Sequence, residues 1–162
     1  MPDSLTSLAT LVGARLRDKG ALLVTAESCT GGWVAQAVTA IAGCSEWFER
    51  GFVAYSNAAK EELLGVRSGT LDRHGAVSEE TARELALGAL QHSNGTISVA
   101  VTGVAGQSCG TTAKPVGMVC FAWATKDGIL SESRHFGGDR ESVRRQSVVR
   151  ALQGVLEVLD SA

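Results

Sequence analysis

Apolar residues recur along this chain with two alternating periods, and the alternation predicts an α/β domain. Leu5, Leu8, Leu11, Val12 and Leu16 fall on one face of a helix that Ser4 can cap and Gly20 can stop. A short apolar run, Ala21 to Val24, reads as a strand, and Trp33 to Ile41 as a second amphipathic helix carrying Val34, Ala37, Val38 and Ile41 on one side. Glu46 to Arg50 is expected to be a helical turn or connector that leads into a strand at Gly51–Tyr55. Asn57 to Leu64 is a short helix with Asn57 as its cap and Gly65 as its stop, and residues 66–77 form a loop with one helical turn around Leu71. Ser78 caps a long helix with Glu79 and Glu80 in its first turn, where the helix dipole favours negative charge. Thr96 to Thr102 is β-branched and strand-like, whereas Gly103 to Pro115 is long, irregular and rich in small residues, the mark of either a functional loop or a surface one. Strands at 116–124 and 129–136 are joined by Lys126-Asp127-Gly128, a hairpin signal, so at least one pair is antiparallel. A last helix, capped by Asp139, repeats Val148, Leu152, Val155 and Leu159 on one face.

Composition narrows the function. The 162 residues suit one domain with one core, and neither repeat nor linker divides them. Lys and Arg number 15 against 17 Asp and Glu, with no basic run, which argues against a nucleic-acid partner. No apolar stretch has the length of a membrane span, and the Met1-Pro2-Asp3-Ser4 start lacks the pattern of a signal peptide, so a cytoplasmic location is expected. Cys29, Cys44, Cys109 and Cys120 are scattered and His74, His92 and His135 share no pattern, so neither a metal nor a cofactor is expected.

Candidate chemistry gathers where strands end. Thr25-Ala26-Glu27-Ser28-Cys29-Thr30-Gly31-Gly32 is a strand-to-helix turn, which exposes backbone N–H groups and places Ser28 and Thr30 at a sheet edge. Cys29 at such a turn is a second possible nucleophile. Tyr55 and Lys60 follow the second strand and Thr102 ends the third; ligands bind outside the carboxyl ends of strands in such sheets, so these groups can converge. A serine beside a lysine suits acyl transfer if burial keeps the amine neutral; a solvated helix lysine is the plainer reading. Arg140, Arg144 and Arg145 at a helix start oppose the dipole, which fits either a bound phosphate or ordinary pairing with nearby carboxylates.

A series of motifs in order, namely the 25–32 turn, Trp47-Phe48-Glu49-Arg50-Gly51-Phe52-Val53, Tyr55-Ser56-Asn57 with Lys60, His74-Gly75-Ala76-Val77-Ser78, Thr102-Gly103-Val104-Ala105-Gly106, Lys114-Pro115-Val116-Gly117, and Gly138-Asp139-Arg140 with Val143-Arg144-Arg145-Gln146, resembles the CinA C-terminal domain family from about Ala21 to Leu156. The resemblance implies a three-layer α/β/α sandwich with a mixed, mainly parallel sheet, a homodimer or higher homo-oligomer, and, as in stand-alone members, hydrolysis of the carboxamide of nicotinamide mononucleotide to nicotinate mononucleotide and ammonia. This chain lacks a counterpart of the N-terminal domain of full-length members. By the same resemblance Ser28 is the nucleophile, Lys60 the general base and then acid, and Tyr55 and Thr102 contact the pyridine ring and the carboxamide. Backbone N–H groups between Cys29 and Gly31, or at Thr102-Gly103, stabilise the oxyanion, and Thr30, Gly31, Gly103, Arg140 and Arg145 complete the substrate contacts, the arginines on the 5′-phosphate. Glu27 is assigned to holding the turn. The family's glycine loop usually reads Ala-Gly-Pro followed by more glycines, whereas Ala105-Gly106 here runs into Gln107-Ser108-Cys109-Gly110. That departure keeps open a rival reading, a nucleotide-binding or regulatory module that has lost turnover.

Overall fold

The β-branched and apolar residues of the chain's strands pair into one five-stranded sheet. The computed structural model describes residues 3–105 and 114–161, so the 107–110 departure lies outside the described residues. In chain order the elements are α1 (Ser4–Lys19), β1 (Leu23–Glu27), α2 (Trp33–Thr39), a 3-10 turn (Cys44–Glu46), β2 (Phe48–Val53), α3 (Asn57–Leu64), α4 (Ser68–His74), α5 (Glu79–Gln91), β3 (Ile97–Gly103), β4 (Met118–Thr125), β5 (Gly128–His135) and α6 (Arg140–Ser161). The strand order is β2-β1-β3-β4-β5; β1 pairs in parallel with β2 and β3, and β4 runs antiparallel to both β3 and β5. Four strands therefore point one way, and only β4 is reversed.

Side-chain alternation sorts the helices into two layers. Leu23, Ile97, Val99, Val101, Phe121 and Trp123 face α1, α2 and α6, while Val24, Ala26, Ala100, Ala122 and Ala124 face α3, α4 and α5. The second face is alanine-rich, so α5 sits close on the sheet. α3 in turn sits close on α5: a Cβ at Gly88 would fall 1.9 Å from the Leu64 carbonyl oxygen. On the first face the Trp123 ring lies over Gly154, and its Nε1 donates to the Ala151 carbonyl at 3.0 Å.

Several boundaries differ from the sequence expectations. β1 starts and ends later than Ala21–Val24, because Thr25, Ala26 and Glu27 pair on both sides and are buried throughout. β2 begins at Phe48 rather than Gly51; the helical turn stops at Glu46, and Leu23 N–H donates to the Trp47 carbonyl at 2.8 Å, drawing the next residues into register with β1. Asp3 and Ser56, not Ser4 and Asn57, cap α1 and α3, each by a side-chain oxygen that accepts from the N–H three residues on. α4 is a full seven-residue helix.

The connections explain where a site can form. From β1 the chain passes over one face through α2 to β2; from β2 it crosses the other face through α3–α5 to β3, on β1's opposite side. The chain thus leaves β1 toward opposite faces on its two sides, and the β1/β3 boundary is the topological switch point at which ligands bind in sheets of this kind. Ser28 follows one of these strands and Thr102-Gly103 closes the other.

Candidate active site

Ser28 sits in a turn held from three directions. Its own N–H donates to the Val101 carbonyl at 3.0 Å, extending the β1/β3 ladder one residue past β1. Gly31, with φ of 62°, brings its N–H back to the Ser28 carbonyl at 3.0 Å. Glu27, 2 % exposed, accepts from the Thr30 hydroxyl at 2.7 Å and from the N–H groups of Val34 and Ala35 at 2.8 and 3.0 Å, capping α2 from a distance where Gly32 has no side chain to do so. The turn-holding role expected of Glu27 is therefore what its contacts provide. The Gly31 N–H and the Thr30 hydroxyl are consumed internally, whereas the N–H groups of Cys29 and Thr30 meet no acceptor among the described residues.

Lys60 is 1 % exposed, although it sits just inside α3, a place where lysines are normally solvated. Its Nζ donates to the Tyr55 carbonyl at 2.7 Å, and no carboxylate pairs with it among the described residues. Burial pushes its pKa below the ordinary 10.5, partly opposed by the neighbouring Cys29. Among the described residues no hydrogen bond joins Nζ to Ser28 Oγ. Tyr55 contributes its carbonyl to Lys60 and leaves its ring 63 % exposed at the rim.

The end of β3 is covered by the segment 74–78. The Thr102 hydroxyl donates to the Ala76 carbonyl at 2.8 Å and keeps lone pairs for a ligand donor. The Ser78 and Thr81 hydroxyls bond the Gly75 carbonyl at 3.0 and 2.7 Å, and Lys114 Nζ bonds the His74 carbonyl. Gly103 has a structural reason to be glycine, since a Cβ there would lie 2.8 Å from Val119 Cγ2 and 2.9 Å from the Met118 carbonyl oxygen.

The three arginines separate. Arg144 donates from Nε to the Cys29 carbonyl at 3.1 Å and from Nη2 to the Thr30 carbonyl at 3.0 Å, with its guanidinium 5.7 Å from the Trp33 ring. Arg140 is exposed, and its charge also reaches Cys29. Arg145 turns to α1, with Nη2 at 3.3 Å from Ser4 Oγ. Arg144 is the residue the sequence reading left without a role; its i,i+4 spacing from Arg140 puts those two on one helix face and Arg145 off it.

Cys29 lies in the turn as a buried thiol. Burial, helped by the Glu27 charge, pushes its thiol up to about 12. At pH 8 only about 1 part in 10⁴ is thiolate, against roughly a quarter for a free cysteine. Iodoacetamide at pH 8 is therefore expected to leave Cys29 unmodified in the native protein, as read by peptide mass spectrometry, and Cys29→Ala to keep turnover. Alkylation of Cys29 in step with lost activity would return the thiol to candidacy. Among the described residues no group of three metal-ligating side chains is assembled, and no helix is long and apolar enough to cross a membrane. A cleft of about 930 Å³ at the opposite pole of the sheet, lined by Gly20, Thr96, Trp123 and Gly128 among others, contains none of these groups.

Comparison with known proteins places this arrangement in context. Nicotinamide-nucleotide amidohydrolase PncC of Escherichia coli K12 is 52 % identical over 155 residues, covering 94 % of each chain. PncC of Pseudomonas putida is 49 % identical over 156 residues, 96 % of this chain and 98 % of that protein. Among solved structures, the competence/damage inducible protein CihA from Agrobacterium tumefaciens superposes with a TM-score of 0.94 at 41 % identity, covering 99 % of this chain and 98 % of that one. A CinA superfamily protein from Klebsiella pneumoniae 700603 gives 0.95 at 37 % identity, covering 99 % and 100 %. The family model for the CinA C-terminal domain matches residues 5–159, which spans every element from α1 to α6, and with it this chain belongs to the CinA C-terminal domain family.

Proposed function

We propose that this protein is an amidase that hydrolyses the carboxamide of nicotinamide mononucleotide, with Ser28 as nucleophile and Lys60 as its proton acceptor. The observation that carries the chemistry is the buried Lys60. An ammonium has three donors to satisfy, yet among the described residues Nζ meets one protein acceptor, and its pKa is lowered by burial. At any pH more of it is neutral than of a solvated lysine. Support for the substrate comes from the names of relatives about half identical over nearly the whole chain.

In the proposed reaction Ser28 Oγ attacks the carboxamide carbon while neutral Lys60 takes the hydroxyl proton. The oxyanion is received by the N–H groups of Cys29 and Thr30, each such donor contributing about 3 kcal/mol to barrier lowering. Lys60 then returns the proton to the amide nitrogen as the C–N bond breaks, releasing ammonia and leaving an ester on Ser28. Water, deprotonated by Lys60, attacks that ester; nicotinate mononucleotide leaves and the serine recovers its proton. Thr102 orients the carboxamide, the exposed Tyr55 contacts the pyridine, and Arg140 receives the 5′-phosphate, which Arg145 joins only by leaving Ser4. No cofactor enters any step. A homodimer or higher homo-oligomer in the cytoplasm completes the proposal, and sedimentation velocity reads the assembly.

Ammonia release tests it. Purified protein given nicotinamide mononucleotide is expected to release one ammonia per nicotinate mononucleotide formed, and Ser28→Ala to lower kcat by at least about 10³-fold while the nucleotide still binds. Binding by the wild-type protein with no ammonia released would instead establish a non-catalytic nucleotide-binding module.

A further inference from the structure

Arg144 reaches the Ser28 turn from 115 positions away and spends its contacts on backbone carbonyls rather than on a side-chain charge. A carbonyl and the N–H of the following residue share one rigid peptide plane and point in opposite directions. Holding the Cys29 carbonyl therefore fixes where the Thr30 N–H points. Holding the Thr30 carbonyl fixes the Gly31 N–H, which closes on the Ser28 carbonyl at 3.0 Å, and that bond in turn sets the Cys29 N–H. The Cys29 and Thr30 N–H groups are thus both oriented from behind by a single guanidinium.

We propose that Arg144 is a positioning residue of this site: by gripping the Cys29 and Thr30 carbonyls it aims the Cys29 and Thr30 N–H groups at the oxyanion. The inference rests on the amidase reading given above. A cation on the carbonyl side also polarises these peptides, so that their N–H groups become stronger donors. Arginine suits the task better than lysine, because two carbonyls must be met by donors in one plane while the guanidinium carbon lies over the Trp33 ring, 5.7 Å from its centroid. Gly31 belongs to the same device: a Cβ there would stand 3.2 Å from Arg144 Nη2, at a φ that side chains rarely adopt.

Two measurements on Arg144→Met and Arg144→Lys test this. With nicotinamide mononucleotide, Arg144→Met is expected to lower kcat about 100-fold with KM within about twofold, and Arg144→Lys to recover about tenfold of that loss. A KM raised more than tenfold at unchanged kcat would overturn the proposal by making Arg144 a substrate-phosphate ligand, as would wild-type kinetics in both variants. Should Arg144→Met fail to fold, Arg144→Lys decides with the same split. Without substrate, amide hydrogen exchange at Gly31 is expected to quicken at least tenfold in either folded variant while Val99 and Val101 in β3 keep wild-type rates; unchanged Gly31 exchange overturns the proposal. That second reading separates the two ideas, since a wild-type protein that releases no ammonia sinks the amidase reading and leaves the exchange result to judge Arg144.

Discussion

Lys60→Met is expected to cut ammonia release by about 10³-fold or more and at the same time to make the protein more stable at neutral pH. The amine is buried, meets one protein acceptor among the described residues, and has its pKa pushed down by loss of solvent. The unfolded chain, with its lysine near 10.5, therefore binds more protons than the folded one between the folded Lys60 value and 10.5. Unfolding free energy attributable to this group rises with pH across that window: the burial penalty is fully present below the folded pKa and vanishes above the unfolded one. Methionine has similar length and no charge to desolvate, so the variant's advantage, on the order of 1–2 kcal/mol, is expected on the acid side and should fade toward high pH. The Tyr55 carbonyl loses a donor, but Tyr55 lies at the exposed rim where water can replace it. Urea unfolding at several pH values measures the difference. Equal destabilisation at every pH would mean that Lys60 is held as a structural cation. If Lys60 is the base, the acid limb of the wild-type kcat/KM profile is expected to follow the loss of neutral Lys60, with activity rising with pH toward the folded pKa of this group.

Glu27→Ala is expected to cost about 3–5 kcal/mol and nearly all activity. Three donors converge on this carboxylate, the Thr30 hydroxyl and the N–H groups of Val34 and Ala35, and the first two of these bonds are buried. Each buried donor left without a partner costs about 1–3 kcal/mol, and α2 would lose the only side-chain cap its glycine-led start has. Activity falls with stability because the same bonds fix the turn that presents Ser28. Glu27→Gln separates charge from geometry. Its amide keeps an acceptor for Thr30 and Val34 but turns a donor toward Ala35 N–H, so about half of the stability loss is expected. Chemical denaturation and ammonia release, measured on both variants, check the pair. A Glu27→Ala protein with wild-type stability would show that the turn is held by Arg144 and the glycines alone.

How far the sequence led depended on the period of the pattern and on where a residue's partner lies. α5 and the β4/β5 hairpin were readable because caps, periodicity and the Asp127-Gly128 turn are local signals. The end of β1 was not: Thr25, Ala26 and Glu27 look like loop, and only pairing on both edges makes them strand. The short, aromatic-rich segment Glu46 to Arg50 suggested a connector, yet Phe48, Glu49 and Arg50 belong to the edge strand β2, where Glu49 and Arg50 pair with each other. Of the site residues, Ser28 and Tyr55 follow β1 and β2, Thr102 lies at the end of β3, and Lys60 is buried in α3, tied to the Tyr55 carbonyl. The burial of Lys60 was invisible because it comes from tertiary packing around α3, which is laid against α5, and not from any local spacing. Arg144 was passed over for its neighbours Arg140 and Arg145 because its partners are backbone carbonyls, which leave no trace in a sequence. Gly88 and Gly103 likewise have reasons that only interatomic distances reveal.

The most direct test of the central claim, that Ser28 and Lys60 act as one catalytic unit, is a double-variant comparison of ammonia release from nicotinamide mononucleotide. Ser28→Ala, Lys60→Met and the double variant are expected to show the same residual kcat, because removing either member already removes the proton transfer that both serve. Losses that multiply in the double variant would mean that the two residues contribute independently, and would contradict the shared mechanism.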